Sequence, residues 1–99
     1  MFYKRIVASG DLVMPAGTVI NAVRLESTSD TCSAIIFDDI TQALGATNSH
    51  QVLTMLATVG SGGAHPISSE QNFPIGITTE RGISITLAGT TPKLYIYYS

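Results

Sequence analysis

A chain of 99 residues, 44% apolar and 12% charged, has room for one domain spanning residues 1–99 and is too apolar and too weakly charged to stay disordered. Its net charge is −2, and its five basic residues (Lys4, Arg5, Arg24, Arg81 and Lys93) are scattered beyond the first pair, without the clustered footprint of a nucleic-acid binder or a polybasic membrane surface. No apolar run approaches the roughly 18 residues of a transmembrane helix, and the single cysteine, Cys32, excludes an internal disulfide or a Cys-based zinc site within the chain.

In chain order, MFYKRIVASGDLV opens on an alternating strand. The apolar stretch after Lys4 and Arg5 is broken at Ser9, Gly10 and Asp11, too soon for a signal peptide, so the chain reads as made and kept in a cytoplasm. Thr18–Ser27 places Val19, Val23 and Leu25 on one side of a strand and Ile20 and Ala22 on the other. Thr31–Phe37 and Gln51–Val59 are apolar on both faces, as central or interface strands are. Cys32, inside the first of these runs, reads as a buried inert thiol. Between them, Asp38–Ala46 is the one helical candidate: a single turn capped by Asp38 or Asp39 and stopped at Gly45, or else a structured loop.

Gly60–Pro66 reads as a flexible loop. Phe73–Thr79 sets Phe73, Ile75 and Ile77 on one face, and Gly82–Ala88 alternates Ile83, Ile85 and Leu87 with Ser84, Thr86 and Ala88. The short link Thr79–Gly82 makes Phe73–Ala88 a β-hairpin, with Pro74 near a strand start or on an edge. Lys93–Tyr98 ends the chain with Leu94, Ile96 and Tyr98 on one side and Tyr95 and Tyr97 on the other. Seven or eight short strands with close-set turns predict an all-β fold: a single antiparallel β-sandwich of jelly-roll type.

No chemistry-bearing constellation emerges. His50 and His65 lack a third ligand at metal spacing and read as solvated loop residues. Asp38 and Asp39 are too few for calcium, and no partner carboxylate is indicated for acid–base work. Gly60-Ser61-Gly62-Gly63 is followed by Ala64-His65-Pro66 rather than the Lys-Ser/Thr of a phosphate loop, and no G-x-S-x-G elbow occurs. The expectation is no enzyme, no cofactor and no metal. Tyr95 and Tyr97 on one strand face, with Phe2 and Tyr3 near the opposite terminus, suit an interface or a sugar platform, and equally a sandwich core. A domain this small with half the usual charge exposes apolar and hydroxyl surface, which points to a neighbouring subunit; a Ser- and Thr-rich extracellular domain is the other reading.

The order of features has a counterpart in a known group. Ala8-Ser9-Gly10 follows the first strand, and Val19, Val23 and Leu25 mark the V-x-x-x-V-x-L strand. An apolar strand then ends at Phe37-Asp38, before a loop with Gly45. Phe73-Pro74-Ile75, the alternating run Arg81–Gly89 and the final Leu94-Tyr95-Ile96-Tyr97-Tyr98 complete the series, while Gly45–Asn72 departs from it. The chain resembles the small β-sandwich virion proteins of tailed bacteriophages that decorate heads or form the base of head fibres. That resemblance implies a decoration or cement protein on the outer surface of the head, made in the host cytoplasm. Its partners would be the major capsid protein or other virion subunits, and it would form a homo-oligomer, a trimer in the first instance. The other function to weigh is a carbohydrate- or receptor-binding module of a tail or fibre, with Tyr95 and Tyr97 stacking on sugars and Asp38 and Asp39 bonding hydroxyls.

Overall fold

Period-two alternation in short segments between turns leaves each strand with one apolar face, and two sheets must close on one another to bury those faces. The computed structural model describes residues 2–27, 31–43, 47–57, 67–89 and 92–99; Gly45, Gly60–Pro66 and with it His65 lie outside the described residues. Eight strands follow in order: β1 (Phe2–Ile6), β2 (Gly10–Met14), β3 (Val19–Ser27), β4 (Cys32–Asp38), β5 (Gln51–Ala57), β6 (Ile67–Thr78), β7 (Ile83–Ala88) and β8 (Lys93–Tyr98). They form two antiparallel four-stranded sheets, β1-β8-β3-β6 and β2-β7-β4-β5. This is the interleaved strand order of a jelly roll.

One core lies between the sheets. Ile6, Ile20, Val23, Leu25, Leu94 and Ile96 descend from the first sheet onto Met14, Ala34, Ile36, Met55, Ile83 and Ile85 of the second. Cys32 is buried in the same core, as its surroundings in sequence imply. β4 is an inner strand of its sheet, which explains why its Ala34–Phe37 stretch is apolar on both faces, whereas β5 is an edge strand whose Leu56 points to solvent.

Three local expectations are corrected. Phe73–Ala88 is not a hairpin: β6 and β7 belong to opposite sheets, and the link between them crosses the sandwich. That link is tied down over long range, with Thr79 N–H and Oγ1 both donating to Thr18 O at 3.0 Å and the Asp38 carboxylate accepting from Glu80 N–H and Arg81 N–H. In β3, Ile20 shares the buried face with Val23 and Leu25, because the register shifts between Ile20 and Ala22 and resets the alternation. Ile75 does not join Phe73 and Ile77 in packing but is 98% exposed, since Phe73–Gly76 arches out of the β3–β6 ladder and Gly76 takes φ +82°. Pro74 lies in this edge strand, where its missing N–H breaks no inner ladder.

The described part of the stretch after β4, residues 39–43, is irregular, and residues 44–46 of the candidate turn lie outside the described residues. It lies over the outer face of β7. Ser84 Oγ donates to Asp39 O at 2.7 Å and accepts the Leu12 N–H at 2.9 Å, and Thr86 Oγ1 donates to Gln42 Oε1 at 2.6 Å. The hydroxyl-bearing side of β7 is therefore covered, and Ser84 is fully buried.

Candidate functional site

No described residue covers the outer face of the β1-β8-β3-β6 sheet in this way, and the alternation of its strands decides what it presents. Residues Tyr3 and Arg5 of β1, Tyr95 and Tyr97 of β8, and Ala22, Arg24 and Glu26 of β3 point away from the core, out of phase with Ile6, Leu94, Ile96, Val23 and Leu25. Cross-strand register sets them in rows. One row runs Tyr3, Tyr97, Ala22, Asn72 and the next runs Arg5, Tyr95, Arg24, Glu70.

Three of the four aromatic residues singled out from sequence meet here. The Tyr3 ring lies 6.1 Å from Tyr97 and 6.4 Å from Tyr95, centroid to centroid, both tilted. Tyr95 and Tyr97 are half-buried by these neighbours, so they belong to a surface cluster and not to the sandwich core. Phe2 falls on the opposite side of β1, 5.7 Å from the Tyr98 ring, and is 67% exposed.

Beside Tyr97 the face is hollow. In its row the small Ala22 stands between Tyr97 and Asn72, and the missing bulk leaves an open depression of about 340 Å³. Arg24 and Glu70 wall it on one side. The Arg24 guanidinium is held by two carboxylates, Glu26 at 3.0 Å and Glu70 at 3.4 Å. Its Nε faces Glu70 at ion-pair distance but makes no hydrogen bond. Ala22, Arg24, Glu70 and Asn72 were not singled out in sequence; alternation marks Ala22 and Arg24 as outward, but only the β3–β6 register brings Glu70 and Asn72 beside them.

Asp38 and Asp39 do not belong to this face. They lie at the end of β4 in the other sheet, and their carboxylates hold the chain together. Burial alone pushes the Asp38 carboxyl up, yet the N–H groups of Arg81, Glu80 and Gly82, with the Arg81 charge, outweigh it and leave the group below its ordinary value. Asp39 is lowered by hydrogen bonds from the Asn48 side chain and then from His50, whose Nδ1 lies 3.1 Å away. His50 is thus not a freely solvated loop residue. A sugar site combining these acids with Tyr95 and Tyr97 is ruled out by this division between sheets. Among the described residues, no group of three or more His, Cys, Asp or Glu side chains is placed to hold a metal ion.

A second group of exposed apolar residues lies on β1, on β2 and beside them (the β1–β2 flank); the two are edge strands of opposite sheets, and one side-chain hydrogen bond marks the seam between them. Lys4 Nζ donates to Val13 O at 2.8 Å across this seam. Of the seven large apolar side chains exposed among the described residues, Phe2, Tyr3, Val7 and Leu12 lie on the flank, and Ile40 lies in the loop that Asp11 anchors to β2 by accepting the Gln42 N–H. Leu12 is the one non-glycine residue among those described with positive φ, +47°, and it is half exposed.

The fold defines the class: an eight-stranded jelly-roll sandwich. No family model, curated protein or solved structure matches the chain.

Proposed function

We propose that the chain is a non-enzymatic assembly module, a decoration or cement subunit of a tailed-phage head that self-associates as a trimer through the β1–β2 flank. The observation that carries this reading is that five of the seven exposed large apolar side chains among the described residues fall on β1, on β2 or on the segments beside them, in a chain with 12% charged residues. A solitary soluble domain scatters such residues singly, and a concentration of them marks a surface that is covered in the working state.

Two further features support the flank as the contact. Among the described residues, β1 has no strand on its outer edge and carries neither a proline nor a bulge, whereas the β6 edge is interrupted at Pro74 and Gly76. Leu12 holds a positive-φ conformation, +47°, in which its N–H reaches Ser84 Oγ and half of its side chain is left to solvent. The virion setting rests on the sequence resemblance, with which the jelly-roll order is compatible. Burial of apolar and aromatic side chains between copies, and of the trimer against shell subunits, would supply the stabilising free energy.

Immunogold labelling tests the virion assignment. Antibody raised against the chain is applied to particles purified from lysates of the organism that encodes it. Gold distributed over the head surface is expected; gold confined to tails, or particles without label when the antibody detects the chain in the lysate, contradicts the assignment.

A further inference from the structure

The depression beside Tyr97 lies on the outer face of the β1-β8-β3-β6 sheet, its lining shares no residue with the β1–β2 flank, and that lining has a chemistry of its own. We infer that it is a binding site for a neutral pyranoside, with the sugar ring laid against Tyr97 over Ala22 and its hydroxyls bonded by Arg24, Glu70 and Asn72.

Each part of the lining answers one feature of such a ring. The electron-rich face of Tyr97 attracts the polarised C–H groups of a pyranose, and its partner ring Tyr3, 6.1 Å away, braces it from the far side. Vicinal hydroxyls need donors and acceptors side by side. The Arg24 guanidinium donates, the Glu70 carboxylate accepts, and the Asn72 amide does both, all along the wall and far rim of one depression. The Arg24–Glu70 ion pair sets a donor and an acceptor side by side at 3.4 Å on one wall. The volume, about 340 Å³, is at the small end of the roughly 300–1,000 Å³ range of small-molecule sites and suits one ring.

Charge selects among sugars. Arg24 is matched by Glu70 and again by Glu26, so the positive charge is more than compensated. An anionic ligand, whether a uronate, a sialic acid or a phosphate, finds the one lining cation already paired and meets the Glu70 carboxylate. An open, single-ring site binds weakly, with Kd on the order of millimolar, and gains strength when copies are displayed together on one assembly. The inference does not rest on the assembly proposal: a monomer with this face intact retains the site.

The test is a titration of the isotopically labelled full chain, followed by NMR, with methyl glucoside, methyl galactoside, methyl mannoside and N-acetylglucosamine, and with glucuronate as the anionic comparison. At least one neutral pyranoside is expected to give saturable shifts confined to β3, β6 and β8 around Ala22, Asn72 and Tyr97. Tyr97→Ala is expected to weaken that binding at least tenfold. Ala22→Leu fills the depression at an outward-facing position that leaves the core untouched, so it is expected to do the same with the fold intact, while Ala22→Ser keeps the affinity. Glucuronate is expected to bind more weakly than the glucoside. The inference is overturned if no neutral pyranoside gives saturable shifts up to about 50 mM, if Ala22→Leu leaves the affinity unchanged, or if glucuronate binds more tightly than the glucoside.

Discussion

The Asp38 carboxylate accepts the Arg81 backbone N–H at 2.8 Å, and the Glu80 N–H beside it at 3.0 Å. Two consecutive amides of the link between β6 and β7 are thereby fixed to the end of β4, 42 and 43 residues earlier in the chain. The contact decides how the chain turns from one sheet into the other, because the link has no cross-strand ladder of its own.

Replacing Asp38 by Asn leaves a weaker, uncharged acceptor. The bonds are partly solvated, so the expected loss is about 1 kcal/mol, read from urea denaturation midpoints at neutral pH.

Acid stability follows from the same groups. Asp38 and Asp39 both titrate below their ordinary value of 3.8 in the folded chain. A lowered folded pKa contributes stability that is complete above the unfolded value and is lost as pH falls through the folded one. Unfolding free energy is therefore expected to hold from neutral pH down to the region of pH 4 and to decline below it. Asp38→Asn is expected to flatten that decline; an equally steep decline in the variant would show that other groups cause it.

Two glycines with positive φ separate steric cost from conformational cost. A Cβ at Gly89 would stand 2.6 Å from Thr31 O and 2.8 Å from Cys32 Cα, while one at Gly17 meets nothing within 4 Å. Gly89→Ala is expected to cost about 2–4 kcal/mol, and Gly17→Ala about 1 kcal/mol. Equal losses in thermal unfolding would contradict the close approach at Gly89.

Ile75 and Ile96 make the corresponding pair for burial. Ile96 is fully buried and Ile75 is 98% exposed. Truncation to Ala is expected to cost about 2–5 kcal/mol at Ile96 and to stay within about 0.5 kcal/mol at Ile75.

Much of this architecture was legible in the sequence because period-two alternation survives folding. The opposed faces of β8, with Leu94, Ile96 and Tyr98 inward and Tyr95 and Tyr97 outward, follow from spacing alone, as do the sandwich class and the burial of Cys32. The failures share one cause. Alternation is a local signal and carries no information about which strand lies alongside. A short link such as Thr79–Gly82 looks the same whether it closes a hairpin or crosses between layers, and the difference lies in Asp38 and Thr18, which are distant in sequence. A single inserted residue likewise moved Ile20 to the core face. The candidate site was half visible for the same reason: the tyrosines announce themselves by composition, but the hollow beside Tyr97 is made by Ala22, and its polar wall by a register with β6 that no spacing encodes.

The most direct test of the assembly proposal is the solution mass of the purified chain by light scattering, across a dilution series, beside Leu12→Asn. Asparagine accepts the positive φ of that position, so the variant removes an apolar side chain from the flank without straining the fold. The account predicts a trimer of the 10.4 kDa chain for the parent, stable on dilution, and dissociation of the folded variant toward monomer. A parent chain that is monomeric at every concentration, or a variant whose mass is unchanged, would contradict the assignment of the β1–β2 flank as the contact between copies.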